Sequence, residues 1–191
     1  MSKRIVIVDD EPITRMDLKS LLVDAGYDVV AEASDGFDAV EASKKYLPDI
    51  ILMDINMPNL DGLKAAKIIS RGGYAGGIIL LTAFSDKEFI EKAKDVGVFA
   101  YLLKPLDEKS LIPTVEMVYS KSSEFKKLKK ELDLSIKKIE ERKIIERAKG
   151  MLMKEDNLTE EESYEKIRKL SMDRRCSMRS IGEAIVIAYE I

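Results

Sequence analysis

Five short apolar runs, spread through the first 120 residues, constrain this chain more than anything else in it. They are Ile5–Val8, Asp28–Ala31, Ile50–Met53, Ile78–Leu81 and Ala100–Leu103. Each is short and rich in strand-forming side chains, and helix-like stretches of roughly 10–14 residues lie between them. In the first of these stretches Leu18, Leu21 and Leu22 mark an inner face, and Asp17, Lys19 and Asp24 an outer one. Ser85 to Glu88 has the form of a capping box opening the fourth helix, and Asp107 can cap the fifth. Strand and helix in regular alternation, joined by short loops, predict an α/β fold: a five-stranded parallel sheet, doubly wound, with helices on both faces.

The residues that end each run matter as much as the run. The first ends in Asp9 and Asp10, the third in Asp54, the fourth in Thr82 and the fifth in Lys104. Open parallel sheets build their sites at the carboxyl ends of their strands. Three carboxylates brought together there repel one another unless a cation lies among them, and a hard, strongly hydrated ion such as Mg²⁺ suits them. With that cation in place one carboxylate can attack an electrophilic phosphorus. The metal and the Lys104 ammonium would balance charge on the transferring oxygens, and the Thr82 hydroxyl would meet one of them.

Composition narrows the chemistry further. The chain has no histidine and one cysteine, Cys176, which excludes an intrachain disulfide, a cysteine-based zinc site and histidine-based catalysis. Cys176 reads as a small packing residue. No run approaches the roughly 20 apolar residues that span a bilayer, and the N-terminus lacks a signal-peptide layout, so a cytoplasmic chain without membrane association is expected. The net charge of −3 is unevenly spread. Residues 1–120 hold 14 basic and 20 acidic side chains, 121–143 hold 9 and 5, and 144–191 hold 9 and 10. An acidic front, a basic connector and a mixed tail predict three parts with those boundaries.

The connector reads as one uninterrupted helix from Glu116 to Lys149. Phe125, Leu128, Leu132, Ile136 and Ile139 form a seam near coiled-coil spacing, amid Lys and Glu. Such a stripe calls for a partner to cover it, a second copy of the chain being the expected one, or else the connector is a lone solvated helix. Beyond Gly150, a capping box at Thr159–Glu162 opens a helix over about 160–172. Ser177 can cap another, with Met178, Ile181, Ile185 and Ala188 inward. With the end of the long helix these make a small three-helix C-terminal domain. Lys166, Arg168, Lys169, Arg174, Arg175 and Arg179 fall within fourteen residues, opposed only by Asp173. That is a patch able to hold phosphates, or else a solvated charged face.

Residues 1–120 resemble a response-regulator receiver domain. The resemblance rests on Asp9-Asp10, on Asp54 in MDINMP, on Thr82-Ala83 and on Lys104-Pro105, in the right order. It implies a flavodoxin-like, CheY-like fold with strand order 2-1-3-4-5, and phosphorylation of Asp54 by a partner sensor histidine kinase. It implies Mg²⁺ held by Asp9, Asp10, Asp54 and the Asn56 carbonyl. Thr82, Ala83 and Lys104 would meet the phosphate, Tyr101 would be the switch aromatic coupled to Thr82, and Lys104–Pro105 would be cis. Phe84 is expected near the approach of water, where its bulk, with Asn56, would slow hydrolysis.

Residues 142–190 resemble the ANTAR domain of antitermination regulators, a family that includes the regulator of ethanolamine-utilisation transcripts. The match runs through Ala148, Lys149, Gly150, Leu152, Met153, Tyr164, Ile167, Arg168, Leu170, Arg175, Ser177 and Ile181. Ser163 and Ser171 depart from it, standing where the family more often has alanine. The resemblance implies binding of paired RNA stem-loops in leader transcripts and prevention of a terminator. Candidate RNA contacts are Lys149, Gly150, Tyr164, Arg168, Arg174, Arg175 and Arg179. Gly150 can also serve close helix packing, and Tyr164 can also be a core residue. Phosphorylation is expected to favour a homodimer through the face of the fourth helix, fifth strand and fifth helix. The rival reading is a DNA-binding transcriptional response regulator. The Arg-rich turn before a mostly apolar last helix speaks against it. A turnover enzyme is not expected, since the only evident site modifies itself.

Overall fold

The computed structural model describes residues 2–83 and 96–189. Alternation along each strand splits the sheet residues between two cores. β1 (Arg4–Val8) sends Val6 and Val8 to one side and Ile5 and Ile7 to the other. β3 (Ile50–Asp54) separates Ile51 and Met53 from Ile50 and Leu52, and β4 (Gly77–Thr82) separates Ile78 and Leu80 from Ile79 and Leu81. A strand apolar on both faces must be covered twice, which is why these runs are continuous in the sequence. On one side α2 (Gly36–Tyr46) and α3 (Gly62–Gly72) supply Ala39, Val40, Ala65, Ala66 and Ile69. On the other, α1 (Pro12–Asp24) supplies Leu18 and Leu22, and the start of α4 (Glu108–Glu155) supplies Leu111, Val115 and Val118.

With β2 (Asp28–Ala33) and β5 (Ala100–Leu103), the sheet order is β2-β1-β3-β4-β5, every pair parallel. This is the expected order. Three helix starts are capped by acids, Asp107 among them as the sequence predicts. Asp35 accepts from the Phe37 and Asp38 amides, Asp61 from Lys64, and Asp107 from Ser110. The Ser85–Glu88 capping box lies outside the described residues.

The chain divides into two compact units between Lys127 and Leu128, inside α4. α4 starts earlier than its apolar pattern indicates and accommodates Pro113 near its beginning, where one backbone bond is lost. Every residue from 124 to 143 is exposed, the seam of Phe125, Leu128, Leu132, Ile136 and Ile139 included. The C-terminal unit packs the end of α4 against α5 (Glu160–Arg174) and α6 (Met178–Tyr189) around Ala148, Leu152, Ile167 and Ile181. The Thr159–Glu162 capping box is formed, and the Ser180 amide donates to Ser177 Oγ at 3.1 Å. Ala188, expected inward, is exposed. The inner stripe of α6 runs through Met178, Ile181, Gly182, Ile185 and Val186. A Cβ on Gly182 would stand 3.0 Å from Ile144, so glycine brings α6 close to α4 there. No helix among the described residues is long and apolar enough to cross a membrane.

Candidate phosphate site and output surface

Backbone bonds between adjacent strand ends bring the site residues together. Asp9 donates its amide to Ala33, Ile55 to Leu81, and Lys104 to Thr82. Each bond fixes one strand end against its neighbour, so residues far apart in sequence converge. Lys104 Nζ lies 2.7 Å from Asp9 Oδ2 and 2.6 Å from Asp54 Oδ1. Asp9 is fully buried, Asp54 is 6 % exposed and Thr82 5 %. The other oxygens are held too: Asp9 Oδ1 accepts from the Glu11 amide at 3.0 Å, and Asp54 Oδ2 from the Asn56 amide at 2.8 Å. The Lys104–Pro105 peptide bond is cis.

The electrostatics reflect the burial of two acids around one ammonium. Burial pushes the Asp54 carboxyl above the ordinary carboxylate range. The Lys104 ammonium pulls it back, and the Asp9 charge adds to the rise. Burial opposes the charge on Lys104 as well, but its bonds to Asp54 and Asp9 outweigh that and raise its pKa above the usual value. Two buried acids held around a cation are a donor set that suits a hard metal ion. Asp10, the third expected acid, is exposed, and no group of three acids among the described residues is spaced to hold a metal as the side chains stand. The Asp9–Asp54 pair is bridged by Nζ instead.

Ala83, next to the buried Thr82, and Tyr101, on β5 opposite Leu80, lie at the surface, Tyr101 being 45 % exposed. Phe84 falls outside the described residues. A cleft of about 410 Å³ opens beside Lys104, lined by Glu11, Thr14, Leu18, Pro105 and Leu106 among others. Two residues that hold the site were not singled out from the sequence. Arg15 Nη1 donates to the Asp9 carbonyl at 2.6 Å and so braces the acidic loop from the first helix. Its signal was a basic side chain one turn into the first helix. Gly62 is the other: a Cβ there would stand 2.0 Å from the Asp54 carbonyl oxygen. Only glycine lets α3 begin against the backbone that carries Asp54. Its signal was a glycine directly after a capping aspartate.

The structure separates the tail candidates. Lys149 is buried, its ammonium paired with Glu146 at 3.1 Å and Glu160 at 2.7 Å, so it ties α4 to the start of α5. Gly150 is exposed, and a Cβ there would meet nothing within 4 Å, so it does not serve helix packing. Tyr164 is 42 % exposed and is not a core residue. Arg168 pairs with Glu165 and Arg179 with Glu183, while Arg174 and Arg175 end α5 in the open. Cys176 packs at the edge of the three-helix core. Ser163 is fully buried, and its hydroxyl has no hydrogen-bond partner among the described residues.

Comparison with known proteins matches both units. A response regulator receiver domain family model covers residues 5–116, and an ANTAR domain model covers 137–186. The transcriptional regulatory protein PdtaR of Mycobacterium tuberculosis is 39 % identical over 184 residues, covering 96 % of this chain and 89 % of its own. Among solved structures, the receiver domain of a modulated diguanylate cyclase from Desulfovibrio desulfuricans G20 matches with a TM-score of 0.60 and 32 % identity, over 64 % of this chain and 98 % of that one. The receiver domain of the sensor histidine kinase PA1611 of Pseudomonas aeruginosa PAO1, with a magnesium ion coordinated in its active site cleft, matches at 0.57 and 30 %, over 63 % and 99 %. The receiver and ANTAR matches and a relative similar along nearly the whole length agree, and the chain belongs to the response regulators that join a receiver domain to an ANTAR domain.

Proposed function

We propose that Asp54 accepts a phosphoryl group from a partner sensor histidine kinase, and that the phosphorylated chain binds paired RNA stem-loops in leader transcripts and prevents termination. The observation that carries the reading is the meeting of Asp9, Asp54 and Lys104 at 2.6 and 2.7 Å in a chain that continues into an ANTAR segment. Burial strips water from the Asp54 carboxylate, and the Lys104 ammonium favours its ionised form, the one that attacks phosphorus. As the phosphorus–nitrogen bond to the kinase's phosphohistidine breaks, freeing its imidazole, Lys104 and Thr82 meet the oxygens of the group now on Asp54. Mg²⁺, when bound by Asp9, Asp10, Asp54 and the Asn56 carbonyl, would screen charge on the phosphoryl oxygens. Asp10 would have to turn in to complete that set.

Tyr101 reports occupancy of Thr82 to the outer face of β5, and that face and the exposed α4 seam join two chains. Two output units then engage two hairpins together, and affinity rises through effective concentration. The chain works in the cytoplasm, in parts of residues 1–120, 121–143 and 144–191. The test is incubation with acetyl phosphate and Mg²⁺, then intact mass, sedimentation and binding to tandem-hairpin RNA and to duplex DNA. One phosphoryl group is expected on wild type and none on Asp54→Asn, with a gain in mass and in RNA affinity. Tighter binding to duplex DNA than to RNA would favour a DNA-binding regulator instead.

A further inference from the structure

Six basic side chains crowd α5 and the start of α6, and the structure sorts them into two sets. Lys166 pairs with Asp156 at 2.8 Å, Arg168 with Glu165 at 3.1 Å, and Arg179 with Glu183 at 2.8 Å. Lys169, Arg174 and Arg175 have no acidic partner among the described residues, and all three are exposed. They fall within seven residues at the carboxyl end of α5. A paired cation brings its own counter-charge, so it releases few ions when a phosphate approaches. An unpaired one neutralises the phosphate and displaces a cation condensed on the RNA.

The turn that follows the helix is closed by two hydrogen bonds. Ser171 Oγ donates to the Cys176 carbonyl at 2.6 Å, and the Cys176 amide donates back to the Ser171 carbonyl at 3.1 Å. Arg175 caps the helix at φ 50°, ψ 42°, a left-handed conformation that glycine adopts without strain and side chains rarely adopt. A helix end built for stability alone would carry glycine there. Strain of this kind gathers at functional positions. Met172, one turn along and 67 % exposed, sets an apolar surface beside the charges.

We infer that Lys169, Arg174 and Arg175 form the phosphate-gripping part of the RNA surface, and that Lys166, Arg168 and Arg179 act mainly as internal ion pairs. The inference rests on the proposed RNA binding and divides its candidate contacts. The grip takes backbone phosphates of a folded RNA, and sequence choice belongs to other groups.

The experiment uses the full chain and a hairpin RNA selected by the wild-type protein from a pool with randomised loops. Its readout is the slope of log affinity against log salt. Changing Lys169, Arg174 and Arg175 together to Gln should lower that slope by roughly two to three, each single change by about 0.7–0.9. The matched triple change of Lys166, Arg168 and Arg179 should leave it nearly unchanged. Arg175→Gly provides a split: it should raise the unfolding midpoint while weakening RNA binding, which a merely structural arginine would not do. Equal slopes for wild type and the first triple variant, with RNA still bound, overturn this site and leave RNA binding itself standing. Failure of the wild-type chain to select any RNA overturns both.

Discussion

Replacing Lys104 with methionine keeps most of the side-chain volume and removes the charge between Asp9 and Asp54. Two short charge-assisted bonds are lost, each worth about 1.5–3 kcal/mol. The acids they held are almost wholly buried, and a charge left unpaired in such a place costs about 3–5 kcal/mol. The Lys104 side chain is itself 22 % exposed, so water can reach part of the gap. After that discount, the expected loss is about 2–4 kcal/mol near neutral pH. With a urea slope of about 2 kcal/mol per molar, the midpoint of the receiver unit should fall by about 1–2 M. Amide exchange in β3, whose residues are buried, reads that unit alone.

The pH dependence comes from the direction of the shifts. Asp54 in the folded chain already holds its proton more tightly than an ordinary aspartate, and without the ammonium it would hold it more tightly still. A raised acid favours the folded state fully below its unfolded pKa, and that advantage is lost as pH rises through the folded value. The Lys104 charge is intact throughout this range, since its own pKa lies above the usual lysine value. The variant's deficit should therefore shrink by more than about 1 kcal/mol between about pH 7.5 and about pH 4.5. Combined with Asp54→Asn, the same substitution should cost at least about 1 kcal/mol less than it does alone. A deficit that is absent, independent of pH, or additive with Asp54→Asn would refute the reasoning.

Three further outcomes are expected. Gly62→Ala puts a Cβ against the Asp54 carbonyl, so it should destabilise the receiver by about 2 kcal/mol or more and slow labelling by acetyl phosphate, both read on the full chain. Ser163→Ala removes a buried hydroxyl without a partner and should stabilise the output unit by about 1 kcal/mol in thermal unfolding; a loss would mean the hydroxyl is satisfied in solution. Leu128→Ser with Leu132→Ser removes two of the larger exposed side chains of the α4 seam, and should weaken the phosphorylated dimer at least about a hundredfold by sedimentation, leaving Asp54 labelling intact.

The centre of the sheet was legible because β1, β3 and β4 are buried on both faces and therefore continuously apolar, and because four of the five runs stopped at a residue with chemistry. Asp9, Asp54, Thr82 and Lys104 were readable one by one from those stops, while the strand order came from the likeness to receiver domains. The helix caps at Asp107, Thr159 and Ser177 were legible because capping is local. The features that escaped the sequence depend on neighbours distant in the chain. Lys149 looked like a surface cation until the glutamates of two helices closed over it. Tyr164 could be core or surface until the inner stripe of α5 settled on Ser163 and Ile167. Arg15 and Gly62 act on backbone atoms of other segments, so their local signals do not say what they touch.

If Asp54 is the input to RNA binding, the most direct measurement is RNA affinity of the full chain before and after phosphorylation. Acetyl phosphate and Mg²⁺ should tighten binding to a tandem-hairpin RNA by at least about tenfold for wild type, an effect expected of a second, linked contact. Asp54→Asn should bind like the untreated chain in both conditions. Equal affinity with and without the phosphoryl group on Asp54, confirmed by mass, would contradict that role.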